Sequence, residues 1–337
     1  MSESATVFEG EELSGGSTPP VSPGEAKVIA GKSPMKLAMM RLRKDKLTMV
    51  SLVIVVLVVL AAISAPILVK AGVLDPFGFN QNLLDENTLP VGGWSGASLD
   101  HPLGVEPGTG RDALSRFWYG VTFSLVIALT AAILSVVIGA VIGIISGFSG
   151  GWVDAILGRV TDLTLSFPST LMLLALSSLG LVIVQNLTGL PNGPTVQAIY
   201  CIVVLALFGW TGTARVIRGQ VLSIKQREFV EAAVVLGAGR MRIYFKEILP
   251  NLWAPLLVLA TLMMPAYISA EAALSYLQVS VKPPTPTLGN VLADSLKYAQ
   301  TDFFYFFAPA FLIALIVVSF NLLGDGLRDA LDPKGNR

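Results

Sequence analysis

A few short features in this sequence combine residue types that do chemistry elsewhere. Gly147-Phe148-Ser149-Gly150-Gly151 spells G-x-S-x-G, the pattern of an elbow that exposes a nucleophilic serine. Such a serine needs a base within hydrogen-bond reach. The single histidine, His101, lies in a different polar segment, across an apolar block long enough to span a bilayer. Gly31-Lys32-Ser33 ends like a phosphate-binding loop, but Ala26 occupies the position of its first glycine. Leu13-Ser14-Gly15-Gly16 spells the opening of a nucleotide-binding signature, in a tail too short to fold as such a domain. The single cysteine, Cys201, sits inside an apolar run, which excludes an internal disulfide and a cysteine metal cluster. Glu271 remains, an acid inside an apolar block. Intramembrane carboxylates are costly and often functional. Either it lines a translocation path and meets a substrate amine, or it makes a structural hydrogen bond to another helix.

The elements that must position these residues are membrane helices. Of 337 residues, 53% are hydrophobic and 14% charged, against about 25% charged in an ordinary globular domain. This excludes a disordered chain and a nucleic-acid binder with a basic face. Six stretches reach the length of roughly 20 apolar residues that a helix needs to cross a bilayer. They are about 47–69, 118–147, 167–187, 196–214, 252–274 and 303–323. The expected fold is an all-α membrane protein of six transmembrane helices. In the second stretch Gly139, Gly143 and Gly147 fall on one face, where a neighbouring backbone can approach closely.

Cations fix the sides. Eighteen lysines and arginines fall before the first stretch, between the fourth and fifth, in the tail or at Arg159. Only Lys70, Arg111, Arg116, Lys282 and Lys297 fall on the other side. Positive charge stays inside, so both termini and the 215–251 loop are expected in the cytoplasm of a multi-pass plasma-membrane (inner-membrane) protein. Residues 1–32 read as a disordered cytoplasmic tail, with no signal-peptide pattern. Residues 33–46, opening on Ser33-Pro34, read as a basic helical segment at the membrane interface. Residues 47–325 form the six-helix domain and 326–337 a cytoplasmic C-terminal tail. Arg159 and Asp162, three apart, read as an ion pair along one helix, and Arg215 and Arg218 as contacts to lipid headgroups or, as the alternative, to another protein at the cytoplasmic face.

The 215–251 loop is the most specific part of the chain. Arg227 to Leu236 has good helix formers and ends at Gly237-Ala238-Gly239, where a glycine of positive φ stops the helix. A second short helix from Arg240 is expected to end before Pro250. Small Ala232 and Ala233 leave room for another protein's surface, and Phe229 and Tyr244 are placed to fill a groove on it.

Glu231-Ala232-Ala233, then Gly237, then Leu249-Pro250 resembles the EAA loop of ABC importer permeases. More of the chain resembles one branch, the C-type permease of dipeptide and oligopeptide uptake systems. The matching blocks are His101-Pro102-Leu103-Gly104 with Gly110-Arg111-Asp112, Gly150 to Asp154, Ser166-Phe167-Pro168, Ala214 to Gln220, Glu271 to Ser275 and Asn321 to Pro333. They occur in family order over about residues 36–333. Glu106 departs from the usual outer-loop block, and Glu247 stands where histidine is common. The resemblance implies a type I ABC importer permease fold. It also implies a second homologous permease, two cytoplasmic ATPases that bind ATP and Mg, and an extracytoplasmic substrate-binding protein. The chain itself would be non-catalytic and hold no cofactor or metal. Phe229, Glu231, Ala232, Ala233, Gly237, Tyr244, Leu249 and Pro250 would form the ATPase-coupling surface, and Glu271 the path. Related permeases serve nickel or oligosaccharide uptake, which stay open as alternatives. A proton-coupled secondary transporter would show internal repeats and several embedded acids, and neither is evident.

Overall fold

The computed structural model describes residues 34–331. The tail 1–32, the cap residue Ser33 and the last six residues lie outside the described residues. The chain begins with α1 (Pro34–Lys44) and α2 (Lys46–Lys70). After a long irregular segment come α3 (Ala113–Ser149), α4 (Gly151–Ser166), α5 (Ser169–Ala175), α6 (Ser177–Thr188) and α7 (Pro194–Ile224). Then follow α8 (Glu228–Val235), α9 (Arg240–Arg242), a π-helical turn (Ile243–Ile248), α10 (Leu249–Tyr276), α11 (Leu288–Ser295) and α12 (Phe303–Leu331).

Among the described residues, five helices are long and apolar enough to cross a membrane. The third expected span is present but broken. Instead of one helix over 167–187, α5 and α6 meet at Leu176. There the Ser177 hydroxyl donates to the Leu174 carbonyl at 2.8 Å, a local bond that competes with the helix ladder. The six apolar stretches thus appear as five unbroken helices and one broken pair. Helix α12 runs on to Leu331, so residues 326–331 continue the last span rather than starting a tail.

The centre of the fold is the α3–α7 pair. At 37 residues α3 is about 55 Å long, well over the thickness of a bilayer core. Asp112 caps it, its Oδ2 accepting from the Ser115 N–H at 2.7 Å. The expected glycine face meets α7 backbone to backbone. A Cβ on Gly139 would lie 2.7 Å from the Trp210 carbonyl oxygen, one on Gly143 2.8 Å from that of Ala214, and one on Gly147 3.0 Å from that of Arg218. Two matched four-residue ladders therefore interlock. Helix α10 packs beside this pair, α12 packs on α10, and α2 closes the bundle between α12 and α3.

Polar groups staple the two ends. At one end the Lys225 ammonium donates to the Gly147 carbonyl at 3.0 Å, and Tyr244 stacks edge-on against Phe148 with ring centroids 5.3 Å apart. At the other end, the segment between α2 and α3 folds onto the tops of α3 and α12. Glu106 is its buried centre: Oε1 accepts from the Tyr305 hydroxyl at 2.9 Å and Oε2 from Thr109 at 2.6 Å, with Arg116 Nε 3.4 Å away. The departure from the family block thus sits inside the chain, joining the segment to α12. His101, paired through Nδ1 with Asp112 at 2.9 Å, lies at the start of α3, whereas Ser149 is its last residue. The serine hydroxyl lies 3.4 Å from that of Tyr244, and among the described residues no histidine stands beside it.

Candidate coupling loop

Helix α8 begins at Arg227 and carries Glu228 and Glu231 in its first turn, where carboxylates complement the helix dipole. It ends in a Schellman closure. The Gly237 N–H donates to the Val234 carbonyl and the Ala238 N–H to that of Ala233, both at 3.0 Å. Gly237 has φ +78°, the left-handed conformation expected of it. A Cβ there would meet nothing within 4 Å, so only backbone conformation demands glycine.

The loop is anchored from beneath. Val230, Ile243, Ile248 and Leu252 are buried against Ile217, Val221 and Ile224 of α7 and Val136, Ala140 and Ile144 of α3. This cluster fixes α8 to the two helices that form the centre of the bundle.

The expected second helix does not stop before Pro250. Helix α9 passes through the π turn straight into α10, with Pro250 in the first turn of α10. Proline lacks an N–H and its ring crowds the carbonyl four residues back. The wider π turn, in which the Leu249 N–H reaches back five residues to Tyr244, accommodates both. The chain therefore leaves the loop as a continuous helix.

The expected contact residues divide. Phe229, Glu231, Ala232 and Pro250 are exposed, and Ala233 is half-buried. Tyr244 is not free to fill a partner's groove, because its ring packs on Phe148 and its hydroxyl faces Ser149. Leu249 likewise packs on the buried cluster. Both support the loop from behind. Sequence reasoning missed Val235 and Leu236, each 86% exposed at the tip of α8. Their signal was two apolar residues in sequence just before a helix-ending glycine, outside any span.

Two further expectations are corrected. Asp162 pairs with Arg215 of α7, Oδ1 to Nη2 at 2.7 Å, rather than with Arg159. Arg218 grips Asp154 of α4 with Nε and Nη2, both at 2.6 Å, so each arginine pairs within the chain, where contacts to headgroups or another protein were expected. Glu271 is 0% exposed. Its Oε2 accepts from Ser124 of α3 at 2.9 Å, and its Oε1 from Ser275 at 2.8 Å and Ser280 at 2.9 Å. Ser124 in turn accepts from the Leu288 N–H at 3.0 Å. The carboxylate ties α3, α10 and the start of α11 together. Within this chain its surroundings are those of a structural hydrogen bond.

This bundle of apolar helices, with its helix–glycine–helix platform at one end, has the organisation of a transporter permease, and its sequence relatives are of that class. Residues 139–337 match the family described as the inner membrane component of binding-protein-dependent transport systems. Residues 33–90 match the N-terminal transmembrane domain of oligopeptide transport permease C. The chain belongs to this permease family. It is 38% identical over 314 residues to the oligopeptide transport system permease protein OppC of Bacillus subtilis, covering 92% of this chain and 94% of that one. It is 39% identical over 293 residues to the dipeptide transport system permease protein DppC of Escherichia coli, covering 87% and 90%. Among solved structures, a chain of the MetNI methionine ABC transporter in inward-facing conformations has the same fold, with a TM-score of 0.51 at 19% identity, covering 65% of this chain and 96% of that one.

Proposed function

We propose that this chain is one permease subunit of an ATP-driven importer of dipeptides or oligopeptides. It pairs with a second, homologous permease and hydrolyses nothing itself. Two cytoplasmic ATPases hold ATP and Mg and dock on the α8 platforms of the two permeases. A binding protein on the opposite face delivers the peptide. Rigid-body motion of the ATPases then passes through α8 into α7 and α10 and alternates the side on which the site is open. The observation that carries the coupling role is the exposed tip Val235–Leu236, set on a rigid corner whose underside is buried on α7 and α3. The substrate class rests on the names of relatives that align over most of the chain. The test is reconstitution with the partner permease, ATPases and binding protein. Peptide uptake that needs both ATP and this chain is expected. Uptake of nickel or an oligosaccharide in place of peptide would overturn the substrate.

The basic clusters before α2 and in the 215–251 loop support a cytoplasmic position for that end. On a Cys201→Ser background, an impermeant thiol reagent added to intact cells is expected to label Leu99→Cys, at a position 100% exposed, and to spare Arg240→Cys. Labelling at position 240 from outside would reverse the orientation.

The buried serine cage around Glu271 supports a structural role over contact with a peptide amine. Leaving a buried hydroxyl unpaired costs about 1–3 kcal/mol. Glu271→Leu should therefore lower the thermal midpoint of the purified chain markedly. Glu271→Gln should reduce uptake of free-amine and N-acetylated peptides alike. A loss confined to free-amine peptides would instead place Glu271 in the path.

A further inference from the structure

Helix α4 is held to its own chain in an unusual way. Of its sixteen residues only Thr161 is buried. Trp152, Ile156, Val160 and Leu163, spaced along one face, all point outward and are exposed. The opposite face carries Asp154 and Asp162, and each meets an arginine of α7. Asp154 takes both Nε and Nη2 of Arg218 at 2.6 Å, and the Ser146 hydroxyl also donates to it. Asp162 takes Arg215 at 2.7 Å. The two carboxylates are eight residues apart and the two arginines three, so the pairs engage different turns of each helix. A single half-exposed ion pair is weak in water, but a bidentate pair backed by a second bridge fixes orientation as well as position. The Arg218 guanidinium and the Ser146 hydroxyl hold the Asp154 carboxyl down to about 2, so the grip stays charged throughout the physiological range.

Helix α4 is set off from its neighbours by a sharp turn at each end. Gly150 and Gly151 have φ +63° and +55°, and a Cβ on either would meet nothing within 4 Å. At the far end Phe167-Pro168 breaks the chain before α5. Beyond that break lies the broken span α5–α6. Helix α7, at its other end, runs through Lys225 directly into the coupling loop.

We infer that the pairs Asp154–Arg218 and Asp162–Arg215 make α4 and α7 one rigid body, through which movement of the coupling loop reaches the broken span α5–α6. Helix α3, interlocked with α7 and bonded to Asp154 through Ser146, belongs to the same body, so the proline break takes up the angle change toward α5 and the arginines carry the displacement. These four are positioning residues: they bind neither nucleotide nor peptide. The inference rests on the proposed docking of ATPases on α8.

The test uses the complete reconstituted transporter and reads peptide taken up per ATP hydrolysed. Arg218→Gln and Asp154→Asn are expected to keep binding-protein-stimulated hydrolysis and to lose about five- to tenfold in peptide moved per ATP, the size of an ordinary coupling between sites. The exchange Asp154→Arg with Arg218→Asp should recover most of that ratio, which a loss of folding would not allow. Joining position 162 to 215 with a short thiol cross-linker, after Asp162→Cys and Arg215→Cys on the Cys201→Ser background, should leave uptake intact, since the pair never needs to open. An unchanged ratio in the single variants would overturn the inference. So would a cross-link that stops uptake while hydrolysis continues, because α4 would then have to leave α7. If binding-protein-stimulated hydrolysis is missing from the unaltered transporter, the proposed function fails first, and that outcome is distinct from both.

Discussion

Gly143→Leu is expected to yield no folded permease, and Gly143→Ala a permease whose thermal midpoint falls clearly below that of the unaltered chain. The cause is the closeness of α3 to α7. The first carbon of any side chain at 143 would lie 2.8 Å from the Ala214 carbonyl oxygen and 2.9 Å from the Ile217 Cβ. A carbonyl in the middle of a 31-residue helix cannot step aside alone, so the helices must separate. Overpacking of this kind costs about 1–3 kcal/mol even for one methyl group. Separation at 143 also unseats Gly139 and Gly147, which share the same interlock. Leucine adds three more carbons where none fit. Gly212→Ala provides the control, since a Cβ there meets nothing within 4 Å and alanine favours the helix. The measurement is thermal unfolding of the purified chain in detergent. Equal midpoints for Gly143→Ala and Gly212→Ala would mean that the α3–α7 contact is looser than described.

Gly237→Val should fold, insert and pair with its partner permease, yet lose stimulated ATP hydrolysis and uptake together. Its cost is local: at φ +78° a β-branched residue is strained by about 1–3 kcal/mol, with no steric neighbour to add to it. The chain relieves this by opening the Schellman closure. The bonds from Gly237 to Val234 and from Ala238 to Ala233 are then lost, and Val235 and Leu236 swing away from where a partner would meet them. Transmission needs positioning to within about 0.5 Å, so the displacement outweighs the lost stability. Gly237→Ala should be milder. Gly239→Ala should be milder still, because Gly239 has φ −65° and open space around it. Assembly, stimulated hydrolysis and uptake are compared in the reconstituted transporter. Normal hydrolysis and uptake in Gly237→Val would show that α8 is not the coupling element.

Much of this molecule was legible along single helices. Length and apolarity mark where the bundle lies, four-residue glycine spacing marks the face of α3 that meets α7, and the glycine at the end of α8 marks the corner. What resisted reading depends on geometry between elements. Asp162 has Arg159 one turn away, and the local rule pairs them. The fold instead brings Arg215 to it from another helix, 53 residues on. Tyr244 has the polarity of a contact residue, and only the position of Phe148 turns it inward. Glu271 announces itself as a charge in an apolar block, while the serines that make it structural are scattered over 124, 275 and 280. At the break by Leu176 the Ser177 hydroxyl bond to Leu174 is a local feature, a small signal inside a mostly apolar stretch.

The π turn between α9 and α10 has a consequence for how this gene can change length. A π turn holds one residue more than the α turn it replaces, while the helices on either side keep the phase of an uninterrupted α-helix. Removing one residue from Ile243–Ile248 lets the turn relax to ordinary α geometry, leaving every residue of α10 on its original side. Removing one anywhere from Leu252 to Ile268 instead rotates the two halves of α10 against each other by about 100° and swings Glu271 away from Ser124. The membrane helix therefore carries its surplus residue next to the loop, ahead of the stretch that holds Glu271, and insertions or deletions that survive in such chains should gather there.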